Sequence, residues 1–276
     1  MRCLRWVSVL AFLTFAGCAG QTDLPPISES GVHLPGKIVW RDLLTSDVET
    51  AGRFYEQLLG WDVEPWSHDY HVILHRGRLI GGIARKRDAD KQAQWIPFMS
   101  VTDVNQVVEI VKASDGKVIL PPRDMPLRGS VAVIADSEGA AFGVLHSDSG
   151  DPPDREADIG DWLWEEVWVT DPDAILPFYG KIAGLRPANV NIQGVDYRYL
   201  ESDGTPRMGV VEKPDVKIGN SWVNYVRVAD PEAVARRAES LGGKVLMAPR
   251  EDIRQGSVAI IADPTGGTLL VQRWPL

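Results

Sequence analysis

The chain has 276 residues, 44% of them hydrophobic, and 38 acidic side chains against 29 basic ones give a formal charge of −9. That length is enough to bury the core of one or two domains. The acidic balance repels phosphate backbones and anionic lipid, which excludes nucleic acid as a partner, and two cysteines, Cys3 and Cys18, offer no disulfide framework and no thiolate metal site.

Residues 1–20 place Arg2 and Arg5 ahead of an apolar run from Trp6 to Phe15, followed by Ala16-Gly17-Cys18. A basic start, a short apolar stretch and small residues before a cut are the parts of an export signal. The run is too short for a bilayer span, which needs roughly 20 residues. Cys18 directly after Ala-Gly resembles a bacterial lipoprotein signal, in which the cysteine is acylated and becomes the first mature residue. Ala19 after it resembles the type sent to the periplasmic face of the outer membrane. The resemblance implies a signal peptide over 1–17 and a lipid bilayer partner reached through Cys18. Cutting away Arg2 and Arg5 takes the formal charge from −9 to −11. Residues 18–36, with Pro25, Pro26 and Pro35 and no apolar period, read as a flexible tether.

From Lys37 the chain becomes periodic. A strand is expected over 37–44, a helix over 48–59 with Asp47 as N-cap and Gly60 as its stop, and strands at 71–75 and 79–85. A second unit follows, with a strand at 97–103, a helix at 104–114 ended by Gly116, and strands near 117–120, 130–136 and 142–146. Residues 148–160 are acidic, aperiodic and rich in proline, and form the linker between halves.

The second half restates the first. Asp47, Phe54, Tyr55 and Gly60 return as Asp171, Phe178, Tyr179 and Gly184, each 124 positions on. Asp103, Gly116, Pro122, Gly129 and Asp136 return as Asp230, Gly243, Pro249, Gly256 and Asp263, each 127 positions on. Fixed offsets over so many landmarks mark an internal repeat. The aromatic pairs on the two helices are expected in the core. The fold class is α+β, with four βαβββ modules in two tandem domains, 37–147 and 161–276.

The helix motifs RFYEQLLGW and PFYGKIAGL and the strand-turn motifs VIADSEGAAFGVL and IIADPTGGTLLV resemble the vicinal oxygen chelate superfamily, the glyoxalase, bleomycin-resistance and extradiol dioxygenase fold. The resemblance implies glyoxalase-like domains and a divalent metal held by His and Glu in the cleft of a paired module. Its ligand positions fall on Trp40 and Trp164, on Pro97 and Asn224, and on Gly143 and Leu270. None is His, Asp, Glu or Cys. No metal or other cofactor is expected, and a divalent metal enters only if displaced ligands hold it.

The residues left to line a cleft are polar and aromatic. Residues two apart on a strand share a face, so Asp42 lies beside Trp40 and Glu166 beside Trp164. A carboxylate there can bind a ligand, act as a base, or simply face solvent. His71 and His75 are four apart and are candidates to join Asp42 and Glu166 in acid–base work. Ten tryptophans, with Asn224, Tyr197, Tyr199 and Arg207, suit a pocket for a small organic ligand as well as they suit sheet packing. Two functions follow: a metal-free, envelope-tethered binding or accessory protein, or a lyase, isomerase or dioxygenase-type enzyme using displaced ligands or acid–base catalysis. No G-x-S-x-G, P-loop or G-x-G-x-x-G motif is present.

Overall fold

The computed structural model describes residues 23–88, 92–192, 194–216 and 218–275. Cys18 lies outside them. The first half runs β1 (Ile38–Thr45), α1 (Val48–Leu59), β2 (Asp62–Ser67), β3 (Tyr70–His75), β4 (Arg78–Arg85), β5 (Gln94–Ser100), α2 (Val104–Lys112), β6 (Lys117–Met125), β7 (Gly129–Ala135) and β8 (Ala141–Ser147). The second runs β9 (Trp162–Val169), α3 (Pro172–Ala183), β10 (Arg186–Ile192), β11 (Val195–Ser202), β12 (Thr205–Glu212), β13 (Ser221–Arg227), α4 (Pro231–Ser240), β14 (Lys244–Met247), β15 (Val258–Ala262) and β16 (Thr268–Gln272). Each half is one eight-stranded mixed sheet, ordered β2-β3-β4-β1-β5-β8-β7-β6 and β10-β11-β12-β9-β13-β16-β15-β14. Two tandem α+β domains are therefore present, as the repeat predicts.

The helix ends form for the expected reasons. Asp47 accepts the Thr50 amide at 3.0 Å and Asp171 accepts those of Asp173 and Ala174, which satisfies first-turn donors. Gly60 and Gly184 take the left-handed conformation, φ 70° and 66°. Gly116 differs. The left-handed residue there is Asp115, and Gly116 is needed because a Cβ would lie 2.8 Å from Val111 and 2.9 Å from the Ala135 carbonyl oxygen.

The two sheets meet across their helix-bearing faces, and the cores are shared between halves. Leu43, Ile83, Val48, Ala51 and Phe54 pack with Val226, Val271, Ala235 and Ala238. Met99, Val104, Val107 and Val111 pack with Val167, Val169, Ile175 and Phe178. Module one is thus buried against module four, and module two against module three. Each fully buried Val, Leu, Ile, Phe or Met among them contributes about 1.5–3 kcal/mol through burial.

Matching hydrogen bonds cross the same boundary. Tyr55 donates to Asp263 at 2.8 Å and receives the Trp95 indole at 3.0 Å; Tyr179 donates to Asp136 at 2.7 Å and receives Trp222 at 3.2 Å. Between the sheets, the Arg41 Nε donates to Glu165 Oε1 at 2.9 Å, with both residues less than a tenth exposed, and the guanidinium lies 5.2 Å from the Trp162 ring centroid. Burial raises the Glu165 carboxyl, and Arg41 opposes the rise.

With helix-bearing faces joined, the concave faces of the two sheets open away from each other. The segment expected to be a flexible tether is fastened along its described length. The Gly31 amide donates to the Ser149 carbonyl at 3.0 Å, Leu34 to Asp151 Oδ2 at 2.6 Å, and Gly36 to the Ser100 carbonyl at 2.8 Å. Ahead of these, the Asp23 carbonyl accepts the Trp66 indole, the Pro25 carbonyl accepts Arg128 Nε at 2.8 Å, and Ile27 is 4% exposed in the first sheet's concave face. An apolar Pro-Pro-Ile run finds a groove to fill, which composition alone does not announce. Among the described residues no helix is long and apolar enough to cross a membrane.

Candidate functional site

Each concave face is built on the same four parts: a tryptophan, a carboxylate, a tyrosine and a glycine. On β1, Trp40 and Asp42 point into the first cleft; the Trp40 indole donates to Asp42 Oδ1 at 2.8 Å, and Tyr70 donates to the same oxygen at 2.7 Å. Asp42 is paired across the sheet with Gly82, where a Cβ would sit 2.1 Å from the Tyr70 hydroxyl. On β9, Trp164 and Glu166 do the same: Trp164 donates to Tyr197 at 2.6 Å and Tyr197 to Glu166 Oε1 at 2.8 Å. Glu166 is paired with Gly209, where a Cβ would lie 2.0 Å from the Tyr197 hydroxyl. Glycine is thus what allows a tyrosine to reach a carboxylate on the neighbouring strand.

The two clefts then diverge. In the first, Trp40 is fully buried, and the Arg128 guanidinium, 3% exposed, lies 4.2 Å from its ring centroid. Burial raises the Asp42 carboxyl against the pull of Arg128, Tyr70 and Trp40, and burial likewise raises the Tyr70 phenol. Ile27, Leu145 and Val131 complete the filling.

In the second cleft, Glu166 Oε2 accepts Tyr225 at 2.6 Å and Trp168 at 3.0 Å, while Arg254 bonds Oε1 and also donates to Gln272 at 3.3 Å. All four acceptor directions of the carboxylate are used. Burial works to lower the Arg254 guanidinium, but the neighbouring Tyr225 and Glu166 hold it above its usual value. Glu166 is therefore a fixed counter-ion and not a free base. Arg254 carries five N–H donors, two of which are accounted for, on a side chain that is 31% exposed.

The wall of this second cleft is apolar and open. Val190 lies opposite Tyr197, and Ile192 opposite Val195, so both pairs share the face that carries Glu166. Val190, Ile192 and Val195 are exposed, and Trp164, Tyr197 and Tyr199 are half-buried.

Several expected site residues fall elsewhere. His71 is paired with Ile83 on the helix-bearing face, and burial lowers its pKa. His75 is buried with Nε2 3.1 Å from the Ile159 carbonyl, on the linker. A register shift between Ile73 and Leu74 breaks the two-residue alternation, and neither histidine joins Asp42. Asn224 is paired with Glu165 and Pro97 with Arg41, so both sit on the face away from the clefts. The cleft-facing neighbours of Trp40 and Trp164 are Phe98 and Tyr225. Arg207 is buried against the linker, donating to Asp154 at 2.8 Å. Trp40 is fully buried, covered by Arg128 and Ile27. Tyr70, Tyr225, Arg128 and Arg254 did not stand out in the sequence. The signal for Tyr70 and Gly82 was present, since Tyr197 and Gly209 follow each by 127 residues.

Of the positions that the resemblance assigns to metal ligands, Trp40, Gly143, Trp164 and Leu270 share the cleft faces, and the residues that face the clefts in place of Pro97 and Asn224 are Phe98 and Tyr225. Trp, Phe, Gly and Leu side chains carry no lone pair for a metal, and Tyr225 is spent on Glu166. Among the described residues no three His, Cys, Asp or Glu side chains converge as a metal site. The donor set does not fit the divalent metal of that fold.

Residues 37–144 match the Glyoxalase/Bleomycin resistance protein/Dioxygenase superfamily, and residues 166–271 match a glyoxalase-like domain family. A Mycobacterium tuberculosis protein named "Putative glyoxylase CFP32" is 29% identical over 241 residues, covering 84% of this chain and 92% of that protein. The anthracycline biosynthesis protein DnrV of Streptomyces peucetius is 28% identical over 251 residues, covering 84% and 91%. Among solved structures, the Mn(II)-bound glyoxalase from Novosphingobium aromaticivorans superposes with a TM-score of 0.60 at 12% identity, covering 87% of this chain and 82% of that one. The 2,3-dioxygenase LapB from Pseudomonas sp. KL28 gives 0.57 at 13%, covering 89% and 93%. At such identities these structures share the fold.

Proposed function

We propose that this chain, two tandem glyoxalase-like domains in one molecule, is an envelope-tethered binding protein that takes a small apolar ligand into its second cleft without the metal of its relatives. The observation that carries the reading is the half-exposed Arg254 anchored on a fully bonded Glu166, beneath an open wall of Val190, Ile192, Tyr197 and Trp164. A carboxylate already saturated with donors asks nothing of a ligand; the spare guanidinium donors ask for an acceptor. The ligand class is therefore flat or apolar, with a carbonyl or carboxylate oxygen for Arg254. The relative named for anthracycline biosynthesis supports this class, since anthracyclines are flat polycyclic ketones. The lipoprotein-like order of residues 1–20 supports a Cys18 anchor in the bacterial envelope.

Intrinsic tryptophan fluorescence of the purified chain, titrated with flat aromatic ketones and acids and with hydrocarbons lacking an acceptor, tests the cleft. A saturable response to the acceptor-bearing compounds, weakened at least about tenfold in Arg254→Leu and Trp164→Ala, is expected. Binding that requires stoichiometric divalent metal, or that survives both substitutions, overturns the reading. Cys18→Ala should leave an uncleaved or a soluble form in cell fractions. A variant that is processed normally and stays membrane-bound overturns the anchor alone.

A further inference from the structure

We propose that the first cleft is a peptide-binding groove, and that residues 23–28 occupy it as a ligand in cis. This stands apart from the reading of the second cleft and uses none of its residues.

The segment Asp-Leu-Pro-Pro-Ile-Ser is held as a bound peptide is held. It forms no strand or helix of its own, and its main-chain oxygens are captured by side chains of the domain: Asp23 by the Trp66 indole and Pro25 by Arg128 Nε at 2.8 Å. The side chains of Pro25 and Ile27, two apart, are the buried ones, and Ile27 packs with Trp40, Val39, Val131 and Leu145. Two successive prolines lack N–H groups and hold φ near one value. Such a segment is already extended before it binds and loses little entropy on docking. An aromatic-lined groove with a donor aimed at a proline carbonyl is the chemistry that recognises it. Here the groove has Trp40 as floor, Trp66 at the entrance and Arg128 stacked between floor and peptide.

The repeat separates a ligand from a piece of core. The second cleft carries the same tryptophan, tyrosine, carboxylate and glycine, and what packs over them among the described residues is Arg254 and Ile253 from a turn of its own domain, so that floor folds without a segment from ahead of the repeat. What the first cleft adds is Arg128, whose Nε goes to the segment. Its Nη2 is buried with no partner among the described residues. The class of ligand is an extended apolar-Pro-Pro-apolar peptide, presented in trans whenever the cis copy is withdrawn.

The test is a calorimetric titration of the full-length chain in which residues 23–28 are replaced by glycine and serine, using the capped peptide Asp-Leu-Pro-Pro-Ile-Ser as probe. The replaced chain is expected to bind one peptide and the parent none. Affinity should fall about tenfold with Arg128→Leu in the replaced background, the loss of one charged hydrogen bond. No binding by a replaced chain that still unfolds cooperatively, equal binding by the parent, or binding indifferent to Arg128→Leu each overturn the proposal. Should the replaced chain not fold, Ile27→Gln in the intact chain takes its place. It is expected to admit the peptide that the parent excludes, and failure to do so is equally decisive against the groove.

Discussion

In the first cleft Trp40 lies sealed under Arg128 and Ile27, whereas in the second Trp164 keeps part of its indole in solvent beside a half-exposed Arg254. The strands, the tyrosine, the carboxylate and the glycine beneath are the same. The difference comes from two places: residues 23–28, laid over the first cleft alone among the described residues, and an arginine set one residue apart in the equivalent turns of the two halves. Leu127 and Arg128 precede Gly129 in one; Arg254 and Gln255 precede Gly256 in the other. A shift of one residue carries the guanidinium from above the tryptophan to the carboxylate.

The largest expected contrast is in the two tryptophans. Trp40→Ala removes a fully buried indole and is expected to cost about 3–5 kcal/mol in urea denaturation. Trp164→Ala, half-buried, should cost about 1–2 kcal/mol. Equal losses would mean that both clefts are filled cores.

Removing the carboxylates sharpens the same point. Asp42→Ala strands the buried donors of Trp40 and Tyr70 together with a buried Arg128, for about 3–5 kcal/mol. Glu166→Ala also strands donors of Tyr225, Tyr197 and Trp168 but leaves the partly exposed Arg254 free to turn toward water, and about 1–3 kcal/mol is expected. A reversed order would break the comparison.

Gly82→Ala and Gly209→Ala probe what the clefts share. Each new methyl would collide with a tyrosine hydroxyl, so each should cost about 1–3 kcal/mol, with the two values close together. The smallest effect is with pH. Asp42 has its pKa raised by burial, so the folded state binds that proton more readily than the unfolded chain. The stability it contributes is complete below the unfolded value of 3.8 and is lost as pH rises through the higher folded value. Acidifying from pH 7 should therefore stabilise the parent more than Asp42→Asn, as read by thermal melts.

The sequence made the architecture legible because the helix caps and aromatic pairs recur at fixed offsets, and those features are local. It showed less of the edges. β2 and β10, DVEPWS and RPANVNI, are exposed, polar and proline-bearing, and nothing in their pattern reads as strand until a neighbour pairs with them. Parity placed Trp40 with Asp42 and Trp164 with Glu166 correctly. Counting alone could not say which face His71 or Asn224 shares, because that depends on pairing partners and on a register shift. Pro25 and Ile27 carried no period, so their burial was invisible without the groove that receives them.

The pair formed by Arg41 and Glu165 bears on how such a molecule can arise. The two positions are 124 apart, equivalent places in the repeat, and they meet between the sheets. In a symmetric dimer of identical half-length chains, each position would confront a copy of itself, arginine on arginine or glutamate on glutamate, buried and like-charged. Only once the halves differ can one place become a cation and its counterpart an anion. The ion pair at this seam is therefore a mark of divergence between the repeats: a contact that two identical copies could not make.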